Sequence, residues 1–295
     1  MPRARANGID IEYEEFGDPN AAPLLLVTGL GVQMISWDEA FCAQFAASGF
    51  HVIRFDNRDA GLSTKFEEAG PPDLVAAVAG NPRPAYRLED MADDAVGVLD
   101  ALGIPAAHIL GASMGGYIGQ LIALNHPTRV LSLTLIMSGP SGKDTVPPSP
   151  SAAGVFMTVP GPTRDERIAQ AIRNRRIFTG AGNPFDEEYE RHRAERAYDR
   201  SYYPVGLGRQ LVASIAAPSR LERLPKVAVP TLVIHGLDDP LLPVENGRRV
   251  AAAIPGARLL ELEGMGHNVP VRYWRKITDA VVETAHRANV PKPHA

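Results

Sequence analysis

Five short apolar runs rich in β-branched and aliphatic residues stand out along the chain: LLLVTG (24 to 29), HVIRFD (51 to 56), AHILGAS (107 to 113), VLSLTLIMSG (130 to 139) and TLVIHG (231 to 236). Each is short enough for a strand, ends at a polar or glycine position, and is apolar on successive residues, as expected of strands covered on both faces. Between them lie segments with helical patterning: Trp37 to Ser48, Leu88 to Leu102, and Met114 to His126, the last stopped by His126-Pro127. Two strands, Arg3 to Ala6 and Ile9 to Phe16, flank Asn7-Gly8, a dipeptide suited to a tight hairpin, and open the pattern. ARLLELEG (257 to 264) and a helix from Val271 to Arg287 close it. Strands alternating with helices predict the α/β class: a mostly parallel central sheet with helices on both faces.

The alternation breaks after Gly139. From Ser141 to about Pro225 there is a Pro/Ser-rich entry, GKDTVPPSPS, and then the charged helical patterns RDERIAQAIRNRR and EEYERHRAERAYD, with no comparable buried strand. The economical division is a core domain of residues 1–139 and 226–295 interrupted by a helical cap at 140–225, inserted after the sixth strand.

In an open parallel sheet the chemistry gathers just beyond the carboxyl ends of the strands. The stretch GASMGG places Ser113 at such an end, between the run AHIL and the helix that starts at Met114. Glycines at 111, 115 and 116 let the strand turn sharply into the helix, which lifts the hydroxyl into the open and aims the helix amino terminus at the same spot. Such a serine needs a base, and the base needs a third group to orient it. Of the eight histidines, His108 lies inside a strand, His51 starts one, His126 ends a helix, His192 is in the insertion, and His286 and His294 belong to the last helix and the tail. His235 ends a strand and reads as a packing or capping residue. His267, in the glycine-flanked loop LEGMGHNVP after the final strand, is the expected base. TLVIHGLDDP puts Asp238 and Asp239 past a strand end; one is the expected third member and the other closes the turn. The order serine, aspartate, histidine is that of a G-x-S-x-G hydrolase rather than of the chymotrypsin or subtilisin type. The amides expected to hold an oxyanion are those of Met114, directly after the serine, and Leu30, in the Gly29-Leu30-Gly31 turn.

Composition narrows the alternatives. A net charge of -4 gives no basic face for nucleic acid, and the arginines between 164 and 176 are interleaved with acids, as on a solvated helix. Cys42 is the only cysteine, which excludes an intramolecular disulfide, and its apolar helical setting marks it as a small core residue. The start, MPRARANGIDIEYEE, has no signal-peptide core, and no run of eighteen apolar residues occurs; the expected setting is cytoplasmic, without a membrane partner. A dinucleotide fingerprint beginning at Gly29 fails at Met34, and no H-E-x-x-H occurs, so no cofactor and no metal are expected.

LLLVTGLG, RFDNRDAGLST, GASMGG, VPTLVIHGLDDP and LEGMGH, in this order and spacing, resemble the α/β-hydrolase superfamily over nearly the whole sheet domain. The resemblance implies that Asp239, the third residue after the glycine of the H-G-x-x-D turn, is the triad acid. Two departures, Asp59 where the family's D-x-R-G-x-G-x-S has a glycine and Thr28 where it has a histidine, together with GNPFDEEYERHRAERAYD, resemble the branch that contains aclacinomycin methylesterase. That branch implies a serine carboxylesterase acting on small to medium hydrophobic esters, methyl esters among them. Thioesterases, perhydrolases and carbon-carbon bond hydrolases share the same layout, and some members of the fold only bind ligands. In the insertion, residues 152 to 160 with Phe178, Phe185, Tyr202 and Tyr203 are the candidate lining of a substrate pocket.

Overall fold

The computed structural model describes residues 2–159 and 161–288, so Pro160 and His294 lie outside the described residues. Eight strands among them form one sheet: β1 (Arg3–Ala6), β2 (Ile9–Phe16), β3 (Ala22–Val27), β4 (Phe50–Phe55), β5 (Ala107–Ala112), β6 (Val130–Ile136), β7 (Thr231–Gly236) and β8 (Arg258–Leu262). Their order is 1-2-4-3-5-6-7-8; β1 and β2 attach antiparallel at one edge, and the strands from β4 to β8 run parallel. The helices are α1 (Glu39–Ala47), α2 (Leu74–Val78), α3 (Leu88–Ala101), α4 (Met114–Asn125), α5 (Pro150–Val155), α6 (Arg164–Phe178), α7 (Glu187–Arg200), α8 (Pro204–Ala216), α9 (Glu245–Ala253) and α10 (Trp274–Ala288).

The uninterrupted apolar runs reflect a sheet buried on both sides, because successive side chains point to opposite faces. Leu25, Val27, Ile109, Leu133 and Leu135 join one core with residues of α3, α4 and α9. Leu24, Leu26, Leu110, Ala112 and Ile136 join a second with α1 and α10. Cys42 is fully buried in the second core, and burial pushes its thiol up to about 12, as suits a packing residue.

Three of the predicted strands that end early do so for a visible reason. The run predicted to 29 stops at Val27, and the Thr28 carbonyl turns to accept from Asn57 Nδ2 at 3.1 Å. The run predicted to 113 stops at Ala112 because Ser113 has φ 54, and that predicted to 139 stops at Ile136 because Met137 has φ 43; neither value is compatible with a ladder. The final helix is preceded by a single 3-10 turn at Val271–Tyr273. The short α2 has no counterpart among the predicted elements.

Between β6 and β7 lie α5 to α8. α6 and α7 share a small apolar cluster of Ile168, Ile172 and Ala194, with Phe185 and Tyr198 against it. α8 enters the main core through Ala213, and several arginines of α7 and α8 add polar contacts with the rest of the chain. Arg193 donates to the Ser36 carbonyl at 3.1 Å, Arg196 pairs with Glu39, and the Arg209 guanidinium forks onto Asp59 at 2.8 and 3.1 Å. That fork explains an oddity of the sequence. Asp59 sits at φ 63, where glycine is the easy choice and aspartate one of the few tolerated alternatives. Its carboxylate also accepts from Tyr86 Oη at 2.8 Å and from the Phe66 amide at 2.9 Å, so the aspartate side chain is used on three sides where a glycine would offer nothing.

His108, buried within β5, bonds Ser132 Oγ at 2.8 Å through Nδ1 and has the Phe50 ring edge-on at 5.6 Å. Burial, reinforced by His286, lowers its pKa to about 4. A base depressed in the fold takes up protons only on unfolding, so stability is constant above the unfolded value of about 6.5 and falls as pH drops from there towards 4, by up to about 3 kcal/mol. Melting temperature is therefore expected to decline between about pH 7 and about pH 5, and His108→Asn to flatten that decline. An unchanged slope in the variant would assign the acid sensitivity elsewhere.

Candidate active site

Ser113 is forced into its position by what surrounds the turn. A Cβ on Gly111 would sit 2.1 Å from the Gly115 carbonyl oxygen, and one on Gly115 would sit 2.1 Å from that of Val27, so the strand and the helix meet backbone to backbone. Ser113 pays for this closeness with φ 54 and ψ -119, a strained conformation held by hydrogen bonds to its amide and carbonyl. Its amide donates to the Ile136 carbonyl at 2.9 Å, and its carbonyl accepts from the Gly116 amide and from Ser138 Oγ, each at 2.9 Å.

The hydroxyl that results faces His267. Ser113 Oγ lies 2.9 Å from Nε2, and Nδ1 lies 2.8 Å from Asp239 Oδ2. The histidine is delivered by the loop after β8 and anchored by its own amide, which donates to the Phe178 carbonyl at the end of α6 at 2.7 Å. Asp239 is buried; Oδ1 accepts the amides of Leu241 and Leu242 at 2.9 and 2.8 Å, leaving Oδ2 for the imidazole. Burial by itself raises this carboxyl, but the two neighbouring histidines, His267 foremost, outweigh it and hold it well below the usual carboxylate range. Asp239 is thus an anion, Nδ1 of His267 carries a proton towards it, and Nε2 is left as an acceptor for the serine hydroxyl.

The other sequence candidates sort by location. Asp238 is exposed and, among the described residues, its carboxylate accepts from the Gly182 amide at 3.3 Å. His235 is fully buried behind Asp239: Nε2 donates to the Leu242 carbonyl at 2.7 Å and stands 3.5 Å from Asp239 Oδ2, a packing position with a view of the acid. The Met114 amide opens α4 and has no acceptor within the helix, and that of Leu30 has none among the described residues. The turn carrying Leu30 lies against the serine, since a Cβ on Gly29 would come within 3.3 Å of Ser113 Cβ. Among the suggested pocket residues, Phe178 stands beside the base, with its ring 6.0 Å from that of His267 and 6.4 Å from that of Phe156. Phe185 belongs to the α6–α7 cluster under Arg176, Tyr202 stacks on Tyr198, and Tyr203 Oη accepts from Arg209. Among the described residues no cluster of three or more His, Cys, Asp or Glu could hold a metal, and no helix is long and apolar enough to cross a membrane.

Several residues that shape the site lie outside the sequence candidates. Asp56 accepts the Met34 amide at 2.7 Å and the Leu62 amide at 2.9 Å, and Asn57 Nδ2 bonds both Thr28 oxygens at 3.1 Å. RFDN at the end of β4 is therefore the brace of the 28–34 loop, a role its polarity at a strand end could have suggested.

A family model described as alpha/beta hydrolase fold matches residues 22–271. Among curated proteins, the chain is 31% identical to rhodomycin D methylesterase DauP of Streptomyces sp. (strain C5) and 32% identical to rhodomycin D methylesterase DnrP of Streptomyces peucetius; each match covers 94% of this chain and 95% of the relative. Among solved structures, a meta-cleavage product hydrolase from Pseudomonas fluorescens IP01 superposes with a TM-score of 0.77 at 21% identity, over 98% of both chains.

Proposed function

Because the chain belongs to the α/β-hydrolase fold family, we propose that it hydrolyses carboxylic esters of small to medium hydrophobic molecules through an acyl-enzyme on Ser113. The observation that carries this reading is the unbroken chain from Ser113 Oγ through His267 to Asp239, at 2.9 and 2.8 Å. Ser113 Oγ attacks the ester carbonyl while His267 Nε2 takes its proton, and Asp239 steadies the imidazolium. The carbonyl oxygen, now anionic, is held by the amides of Met114 and Leu30. His267 returns the proton to the departing alcohol, and water activated by the same nitrogen then frees the acid. These steps close without cofactor or metal.

Methyl esters come first among the substrates to test, since the two curated relatives are named methylesterases. Residues 140–225 serve as the cap over a core of 1–139 and 226–295. The Phe178 carbonyl and ring at His267 support that division, because they put the end of α6 beside the base. The same contacts make the cap the source of substrate preference, for a small molecule with an apolar face.

A fluorophosphonate probe should label the protein once, at Ser113, and a panel of soluble methyl and p-nitrophenyl esters should be turned over in preference to thioesters and long-chain triglyceride emulsions. Folded protein that is neither labelled nor active on any ester would end this reading; faster turnover of thioesters would move it to a thioesterase.

A further inference from the structure

The turn that carries Leu30 is held from outside the sheet. Gly31 has φ 66, and a Cβ there would fall 2.5 Å from Leu207 Cδ1, so α8 presses directly on the backbone at this point. One turn further along α8, Gln210 is fully buried and uses both ends of its amide on the backbone of the core: Oε1 accepts the Gly31 amide at 2.7 Å, and Nε2 donates to the Arg58 carbonyl at 2.7 Å. Two residues on, Gln33 Nε2 donates to the carbonyls of Ala197 and Ser201 at the end of α7, at 2.6 and 2.8 Å. The segment 29–33 is thus fixed on its Ser113 side by the packing of Gly29 and on its far side by α7 and α8.

We propose that Gln210 is a positioning residue for ester hydrolysis: by holding the Gly31 amide it sets the turn that presents the Leu30 amide to the oxyanion. The proposal rests on the oxyanion assignment above. Without Gln210 the Gly31 amide loses the acceptor that fixes its direction, and the Leu30–Gly31 peptide can rotate, which loosens the neighbouring donor. Misplacement of a catalytic group by about 1 Å costs roughly a hundredfold in rate, and loss of an oxyanion donor costs about that or more. The Leu30 amide is expected to bond most strongly when the carbonyl oxygen has gained charge in the transition state, so the loss falls mainly on kcat.

Two variants test this against a purely structural role. Gln210→Met keeps the length and volume but neither hydrogen bond; kcat for p-nitrophenyl acetate is expected to fall about 10- to 100-fold, with KM changed by less than about threefold. Gln210→Glu keeps an acceptor for the Gly31 amide whether or not its carboxyl is ionised, and on ionisation gives up only the donor to the Arg58 carbonyl. Its kcat is therefore expected to stay within about threefold of the original under conditions where Gln210→Met is slow. A folded Gln210→Met enzyme with kcat within twofold of the original, or a folded Gln210→Glu enzyme that loses as much kcat as Gln210→Met, overturns the proposal. Ser113 labelling separates the two levels: unmodified protein that is unlabelled and inert sinks the esterase reading, whereas labelled, active protein indifferent to residue 210 sinks only this inference.

Discussion

Replacing Ser113 with alanine is expected to lower kcat by about a millionfold, the scale of a serine knockout in a hydrolase of this design. The substitution removes one oxygen from a turn whose strain is set by the Gly111 and Gly115 contacts and not by the hydroxyl, so folding should be unaffected. Melting temperature and ligand binding should therefore stay near those of the original while turnover collapses. The measurement is kcat on the best ester of the panel, with active-site titration to exclude contaminating native enzyme. A well-folded variant that kept even a tenth of its turnover would remove Ser113 from the reaction.

Asp239→Asn is expected to cost about four orders of magnitude in kcat, because the substitution inverts the hydrogen-bond logic of the site. Oδ1 is committed to the Leu241 and Leu242 amides, so the new amide nitrogen must take the place of Oδ2, 2.8 Å from His267 Nδ1. A donor there demands that Nδ1 be the acceptor, which leaves the proton on Nε2, where the serine needs a base. Asp238→Asn is the control. Its carboxylate is exposed and, among the described residues, accepts from the Gly182 amide, so it is expected to stay within about twofold of the original. Equal losses in both variants, or the larger loss at residue 238, would reassign the acid.

What the sequence made legible was whatever has a local signature. The runs from 24, 51, 107, 130 and 231 are readable as strands because burial on both faces leaves no polar alternation, and Ser113 is readable because a strand cannot turn into a helix so abruptly without glycines around it. His267 followed by elimination. Choosing Asp239 over Asp238 needed the family resemblance, since adjacent aspartates past a strand end look alike until one is buried. The contacts that shape the oxyanion turn had no signature at all. Gln210 and Gly31 stand 179 positions apart, and a glutamine inside an amphipathic helix is unremarked in any window. Phe185 and Tyr202 were ambiguous for the converse reason: an aromatic side chain in an insertion looks the same in sequence whether it faces a ligand or its own helices, and both meet neighbours within the insertion.

The grip of α7 and α8 on residues 31 and 33 also bears on how such enzymes can be re-engineered. On the division proposed above, transplanting the whole 140–225 segment from a relative would bring a different substrate lining and would also replace the contacts that hold residues 31 and 33 of the receiving scaffold. A chimera that exchanges only the portion ahead of Glu187 keeps Gln210 and the Ala197 and Ser201 carbonyls, and with them the hold on residues 31 and 33, but replaces the Phe178 contact at His267.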